Sequence, residues 1–155
     1  MKSKLLSLLC IAAGLLATGA STSAAAAEPR VVTITVNEQM KFDVTTITAA
    51  PGEEIKVVLK NSGTMPKLAM GHNWVLLKKG TDANAFTTAA VSAGAATEYI
   101  PADQKAAVLA NTKLIGGGES AEVVFKAPAD KGDYTFVCSF PSHFALGMKG
   151  TLTVK

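Results

Sequence analysis

Hydrophobic and polar residues alternate in short segments along most of the chain, which is the pattern of half-buried β-strands. Such segments, rich in β-branched residues, lie at residues 31–36, 54–60, 122–125, 133–138 and 150–155. Turn-forming residues separate them at positions 51–52, 61–63, 116–118 and 131–133. Many short strands at this spacing predict an all-β fold, either a sandwich or a barrel.

Two Ala-rich stretches depart from this alternation, at residues 82–90 and 103–110. Each begins with an aspartate, a residue type that often caps the first turn of a helix. They predict a short helical insertion between strands.

The first 27 residues have the pattern of an export signal. Basic residues up to Lys4 precede an apolar run at 5–16, and small residues follow as far as Ala27. We expect cleavage on either side of Ala27, so that a single domain of residues 28–155 remains in the periplasm. The apolar run is shorter than the roughly 20 residues of a membrane span, and no second run follows, so no membrane span is predicted.

Loss of this segment changes the charge and the cysteine count. Basic residues fall from 15 to 13 against 12 acidic residues, so the net charge falls from +3 to +1. A nearly neutral domain argues against nucleic acid as a partner. Cys10 also leaves, and Cys138 then has no cysteine with which to form a disulfide. A free thiol in an oxidising compartment is a liability unless it is buried or bound to a metal.

The predicted order of strands and loops brings four potential metal donors close together. Cys138 ends one strand, His143 lies in the following loop, and Met148 begins the last strand, so one short segment carries three donors. His72 belongs to a distant loop that can complete the set. Each residue alone has a more ordinary explanation in packing or hydrogen bonding, and only their joint arrangement favours a metal site.

Two imidazoles, one thiolate and a weak axial thioether form the donor set of blue-copper electron-transfer sites. The soft thiolate stabilises Cu(I), and the imidazoles suit both oxidation states. Structural zinc sites usually hold two or more thiolates, which disfavours zinc here. Four protein donors leave no open position for a substrate. The sequence therefore predicts a one-electron copper shuttle between redox proteins that is not an enzyme.

Two other functions remain open at this point. A periplasmic copper carrier or chaperone would use similar soft donors, although such proteins favour several Met or Cys residues on an exposed surface. A cysteine hydrolase could pair Cys138 with His143 as nucleophile and base. Slow copper exchange would argue against the carrier, and resistance of the copper form to thiol alkylation would argue against the hydrolase.

The chain resembles the azurins and auracyanins of the cupredoxin superfamily over nearly all of residues 28–155. The similar blocks are residues 37–42, 70–76, 112–116 and 138–155. The resemblance implies an eight-stranded Greek-key β-sandwich with a helical flap and one type 1 copper. It implies His72, Cys138, His143 and axial Met148 as ligands, with the Gly71 carbonyl oxygen as a candidate for the opposite axial contact.

The resemblance also implies roles for residues around the ligands. The backbone N–H groups of Asn73 and Phe140 would bond the Cys138 sulfur. The Asn73 side chain would either tie the two ligand loops together or cap its own turn. An apolar patch around His143 would meet the redox partners, and its residues are Met40, Met70, Pro141, Phe144, Ala145 and Leu146.

Two features depart from the azurin pattern. The spacing Cys-x₄-His-x₄-Met is one residue longer than the usual azurin loop and is closer to auracyanins, with Gly147 as the apparent extra residue. The added glycine would let the Met148 sulfur approach copper and the Gly71 carbonyl recede. The disulfide near the azurin N-terminus has no counterpart, because Cys138 is the one cysteine expected in the mature chain.

Overall fold

The computed structural model describes residues 28–155, so the predicted signal peptide lies outside the described residues. Eight strands form two facing sheets, which confirms the predicted eight-stranded sandwich. The strands are β1 Arg30–Val36, β2 Thr46–Ala49, β3 Glu54–Asn61, β4 Val75–Leu77, β5 Val108–Asn111, β6 Ser120–Lys126, β7 Gly132–Val137 and β8 Lys149–Val154. Each strand predicted from alternation is present, whereas β2, β4 and β5 were not predicted because three or four residues are too few to show a period.

The smaller sheet has the strand order β1-β3-β6, and the larger sheet has the order β2-β8-β7-β4-β5. The pairs β1 with β3 and β2 with β8 are parallel, and the other pairs are antiparallel. Strands β4, β7 and β8 are therefore neighbours in the larger sheet. Their ends carry the candidate metal donors to one end of the sandwich.

Two helices lie between strands. Helix α1, Lys67–Met70, precedes β4, and helix α2, Ala83–Ala93, follows it. The Asp82 carboxylate caps α2 by accepting hydrogen bonds from the N–H groups of Asn84 and Ala85, at 2.9 and 3.1 Å. Helix α2 confirms the helical prediction at residues 82–90. Within residues 28–155, no helix has the length and apolar character needed to cross a membrane.

The second predicted helix, at residues 103–110, is wrong in its latter half. A 3₁₀ segment, Ala102–Ala107, ends before β5 begins at Val108. The backbone of β5 pairs with β4, with Ala110 opposite Leu76, so long-range strand pairing overrides the local helical preference of alanine. We call residues 82–107, from the cap of α2 to the end of this segment, the flap.

The hydrophobic core fills the space between the sheets and continues to the candidate metal site. Trp74 is fully buried, with its ring centre 5.6 Å from that of Phe125 and 5.4 Å from that of Phe136. Cys138 and Met148 belong to the same packed cluster. Burying one such large side chain contributes about 1.5–3 kcal/mol, so the core that stabilises the fold also fixes the walls of the site.

Candidate metal centre

The backbone of His72 is fixed by a short β-bridge to Ile115. The His72 N–H donates to the Ile115 carbonyl at 2.9 Å, and the Ile115 N–H donates back at 2.8 Å. Gly71 precedes it in a place with no room for a side chain, since a Cβ there would lie 2.5 Å from the Lys67 carbonyl oxygen. This packing places the His72 ring inside the protein.

Residues 138–148, which we call the metal loop, connect β7 to β8. Its two ends meet, because the Cys138 N–H donates to the Met148 carbonyl at 3.1 Å. The Met148 N–H donates in turn to the His143 carbonyl at 2.9 Å, and the His143 N–H donates to the Phe140 carbonyl at 3.2 Å. These backbone bonds hold Cys138, His143 and Met148 in one tightly folded loop.

His72, Cys138 and His143 come together in the folded chain. Their ligating atoms all lie within 4.8 Å of one another, and the Cys138 sulfur is 3.5 Å from His143 Nδ1. All three residues are buried, with exposed fractions of 0%, 0% and 2% respectively. Met148 is also fully buried and is in the core cluster that contains Cys138.

Burial keeps these groups uncharged in the metal-free protein. It lowers the pKa of His72 and of His143 to about 4, with the Glu38 carboxylate and the Asn37 carbonyl opposing the shift at His72. It raises the pKa of the Cys138 thiol to about 12, against the opposing effect of the backbone N–H groups of Asn73 and Phe140. The site therefore collects a neutral thiol and two neutral imidazoles.

The buried polar atoms of this site are better explained by a bound metal ion than by ordinary core packing. Neither ring nitrogen of His72 has a hydrogen-bond partner of good geometry among the described residues, although both are buried. Buried polar atoms without partners cost free energy, and a bound cation would remove that cost. Burial alone disfavours the thiolate form of Cys138, and a bound cation would favour it.

The side chain of Asn73 joins the two ligand-bearing segments. Its Oδ1 accepts from the Ser139 N–H at 2.8 Å, and its Nδ2 donates to the Ser139 hydroxyl at 2.8 Å. The same Nδ2 donates to the Glu98 carbonyl at 2.9 Å, which connects the flap to the site. Sequence reasoning missed Ser139 and Glu98. The position of Ser139 next to Cys138 was its only signal.

The residues of the predicted apolar patch are distributed unevenly. Met40, Met70, Pro141 and Phe144 are half-buried, and Ala145 and Leu146 are exposed. Phe140 points inward, with its ring centre 4.7 Å from that of His143 and 5.1 Å from that of Tyr99. Two exposed apolar residues near the site were not predicted. Met65 lies just before α1 and Leu68 lies in it, and α1 leads into Gly71 and His72.

Comparison with known proteins gives a family match across almost all of the described residues. Residues 29–155 match the model of the copper-binding proteins of the plastocyanin/azurin family. Azurin of Bordetella pertussis is 44% identical over 124 residues, which cover 78% of this chain and 81% of the relative. Auracyanin-A of Chloroflexus aurantiacus is 38% identical over 118 residues, which cover 76% of this chain and 68% of the relative.

Solved structures give the same result. The structure of auracyanin A, a "blue" copper protein of Chloroflexus aurantiacus, matches with a TM-score of 0.72 and 36% identity, covering 83% of this chain and 100% of that chain. Dithionite-reduced auracyanin of Roseiflexus castenholzii matches with a TM-score of 0.71 and 36% identity, covering 84% of this chain and 99% of that chain. The likeness therefore includes both the sandwich and the sequence that builds its metal end.

Proposed function

The chain belongs to the plastocyanin/azurin family of copper-binding proteins, and on that premise we propose that His72, Cys138, His143 and Met148 hold its one type 1 copper. The function is electron transfer by a mononuclear blue copper centre. The observation that carries this proposal is the buried convergence of one thiol and two imidazoles within 4.8 Å. Bound copper supplies a one-electron Cu(I)/Cu(II) couple at that point.

The protein contributes a preformed and shielded donor set. Core packing and the backbone bonds of the metal loop fix Cys138 and His143, and the bridge to Ile115 fixes His72. The N–H groups of Asn73 and Phe140 favour the charged form of the Cys138 sulfur. Donors held in this way rearrange little when the site gains or loses an electron, and this favours rapid transfer.

We also propose which groups would make the axial contacts with the metal. Met148 would be the axial donor, since its side chain is buried and it is the last residue of the loop that carries Cys138 and His143. The Gly71 carbonyl oxygen stays the candidate for the opposite contact. Gly71 is packed closely against Lys67 and Leu114, since a Cβ there would lie 2.5 Å from the Lys67 carbonyl oxygen and 3.0 Å from Leu114 Cγ.

We infer that the protein acts as a carrier of electrons rather than as an enzyme. Cys138 and His143 resemble a thiol and base pair at 3.5 Å, but both are buried, so a substrate has no access to the thiol. Burial equally disfavours a copper chaperone, because exchange of metal between proteins needs exposed donors. A rate of copper exchange that is lower than the rate of electron transfer would support this inference, and rapid transfer of copper to another protein would contradict it.

We propose that residues 1–27 are a signal peptide and that the domain of residues 28–155 is periplasmic. The support is the basic start and the apolar run of the sequence. Fractionation of cells followed by mass measurement of the purified protein tests this. A periplasmic protein that begins within a residue or two of Glu28 supports the proposal, and a cytoplasmic protein that retains the N-terminal segment contradicts it.

We propose that redox partners dock on an apolar partner patch above His143, made of Met40, Met70, Pro141, Phe144, Ala145 and Leu146. Leu146 is 52% exposed and lies two residues before Met148, so a partner that covers it comes close to the metal ligands. Transient redox complexes typically bury less than about 1,200 Å² in total, so a small group of apolar side chains is enough for docking.

The visible absorption and EPR spectra of residues 28–155 with one equivalent of Cu(II) test the metal assignment. We expect an intense thiolate-to-copper charge-transfer band and a narrow copper hyperfine splitting. The Cys138→Ser variant should lose both, because the sulfur donor is gone. A colourless complex with an ordinary tetragonal spectrum would mean that the four residues do not bind copper together.

A further inference from the structure

Two lysine side chains reach the metal loop from different parts of the chain. The Lys41 ammonium group, from the segment between β1 and β2, donates a hydrogen bond to the Leu146 carbonyl. The Lys149 ammonium group, at the start of β8, lies 5.0 Å from the centre of the Phe144 ring. Leu146 and Phe144 both belong to the partner patch. We call Lys41 and Lys149 the lysine pair.

The charges of the lysine pair are not neutralised by carboxylates. The ion pairs among residues 28–155 are Arg30 with Glu53, Lys56 with Glu122, and Lys67 with Glu119, so neither member of the pair takes part in one. A carbonyl or an aromatic ring orients an ammonium group but leaves its full positive charge in place.

Two carboxylates on the His72 side of the site, those of Glu38 and Glu119, are already bonded. The Glu38 carboxylate accepts from the N–H groups of Thr64 and Met65, at 2.6 and 3.2 Å. The Glu119 carboxylate accepts from the Gly116 N–H at 2.8 Å and lies 3.3 Å from the Lys67 ammonium. These two carboxylates are therefore occupied, whereas the Lys41 and Lys149 ammonium groups at the metal loop form no ion pair with any carboxylate of residues 28–155.

We propose that the redox partner presents carboxylates around an apolar centre, so that they pair with Lys41 and Lys149 while the centre covers Ala145 and Leu146. This inference rests on the proposed electron-transfer function and names the chemistry of the partner. The bias is local, since the mature domain as a whole carries a net charge near +1. Charge complementarity at the rim of an interface raises the association rate at low salt and selects the partner.

An anionic lipid surface is the competing occupant of the same patch. Each lysine near such a surface contributes only about 1 kcal/mol, so two of them give a weak attachment. The short loop that carries Leu146 also offers little apolar area for insertion between headgroups. These magnitudes favour a protein partner.

A redox-inert paramagnetic anion, hexacyanochromate(III), tests the charge bias without any electron transfer. When this anion is added to the Cu(I) protein, it should broaden the amide NMR signals of residues 144–149. The signals of Lys126 and Lys155, at the opposite end of the sandwich, should broaden less. The K41Q/K149Q variant should lose at least about half of this broadening, because anions no longer accumulate there. Broadening that stays as in the wild type would overturn the proposal.

The K126Q/K155Q variant is the matched control. It also removes two positive charges, but Lys126 ends β6 and Lys155 follows β8 at the end of the sandwich away from the metal loop. Six residues of β-strand place Lys155 about 20 Å from Lys149. We expect this control to leave the broadening at residues 144–149 unchanged, and an equal loss in both variants would show that only net charge matters.

Electron exchange with two c-type cytochromes of opposite net charge tests the partner itself. Exchange with the acidic cytochrome should slow as salt increases, and K41Q/K149Q should lower its low-salt rate by about threefold to tenfold, while K126Q/K155Q leaves it nearly unchanged. If the protein is blue but its rate of electron exchange responds neither to salt nor to K41Q/K149Q, the proposal of an acidic partner is wrong and the copper assignment still holds. A missing blue band would instead overturn the copper assignment.

A vesicle arm separates the two occupants. Flotation with phosphatidylglycerol vesicles, with phosphatidylcholine vesicles as the neutral control, should not retain the protein at physiological salt. Retention that K41Q/K149Q abolishes would identify a membrane surface as the occupant and overturn the proposal.

Discussion

The metal loop and the flap both connect strands, but different kinds of contact hold them in place. The metal loop has no helix or strand, yet Cys138, Ser139, His143 and Met148 are buried within it. Its bonds reach partners far away in sequence, 66 residues from Ser139 to Asn73 and 105 residues from Leu146 to Lys41. The flap contains a regular helix, but most of its residues are exposed or half-buried, and its cap spans three residues.

This difference separates two sources of order. The flap helix has a local cap and buries Phe86 against Val75, Leu77 and Val137, and it only has to cover one side of the fold. A metal site needs donors held at fixed distances, and bonds between distant segments can hold an irregular loop in that way. Changes at the long-range contacts should therefore alter both stability and the copper spectrum, whereas changes at the cap of α2 should alter stability alone.

The largest effect is expected for Asn73→Leu, which removes the contact between the two ligand segments. The Ser139 N–H and the Glu98 carbonyl lose their partners, Ser139 in a buried place, so we expect the free energy of unfolding to fall by about 2–4 kcal/mol. Urea unfolding of the metal-free protein measures this. Ser139→Ala is the control, because it keeps the backbone bond to Asn73 and should cost about 1 kcal/mol. Equal effects of the two changes would contradict the role given to Asn73.

Acid should destabilise the metal-free protein through its two histidines. Folding lowers the pKa of His72 and His143 from the ordinary 6.5 to about 4, so the unfolded chain binds more protons between these values. Their contribution to stability is complete above pH 6.5 and is lost as the pH falls toward 4, at a slope of up to about 1.4 kcal/mol per pH unit for each histidine.

Urea unfolding at several pH values between 5 and 7 measures this slope. A His143→Gln variant should show roughly half of it, since only one titrating imidazole remains. The copper-loaded protein should show little of it, because the nitrogens are then held by the metal. Equal stability of the metal-free protein at pH 5 and pH 7 would contradict the burial of the two rings.

Sequence reasoning reached the strands and the candidate donors because both leave a local or compositional signal. Alternation marked the longer strands, and a single unpaired cysteine close to His143 and Met148 indicated a metal loop. The Asp82 cap and the alanines after it likewise indicated α2.

The residues that sequence reasoning missed depend on contacts between distant segments. Strand β5 is a strand because β4 lies beside it, although its residues read as the end of a helix. Nothing near Lys41 shows that its ammonium group reaches Leu146, and nothing near Glu98 shows that its carbonyl meets Asn73. These contacts become visible only when the fold brings the segments together.

A smaller effect is expected for Gly147→Ala in the metal loop. Gly147 has a φ of +94°, and a Cβ there would lie 2.6 Å from the Lys41 ammonium nitrogen. Gly118→Ala is the matched control, since φ is +75° and nothing lies within 4 Å of the added Cβ. We expect a loss of about 1 kcal/mol for the control from backbone strain, and a further loss with a shifted blue band for Gly147→Ala. An unshifted band would show that the loop does not feel the contact with Lys41.

The smallest effect is expected in the flap, for Asp82→Ala. The N–H groups of Asn84 and Ala85 lose their cap, so α2 should lose about 1 kcal/mol, and its amide hydrogens should exchange faster. Asp103→Ala is the control, because no side chain caps the 3₁₀ segment that contains it. The copper spectrum should stay the same in both variants, since the flap reaches the site through the Glu98 carbonyl, five residues beyond the end of α2. A spectral change in Asp82→Ala would show that the order of the helix is transmitted to Asn73, and the metal loop and the flap would then form one cooperative unit.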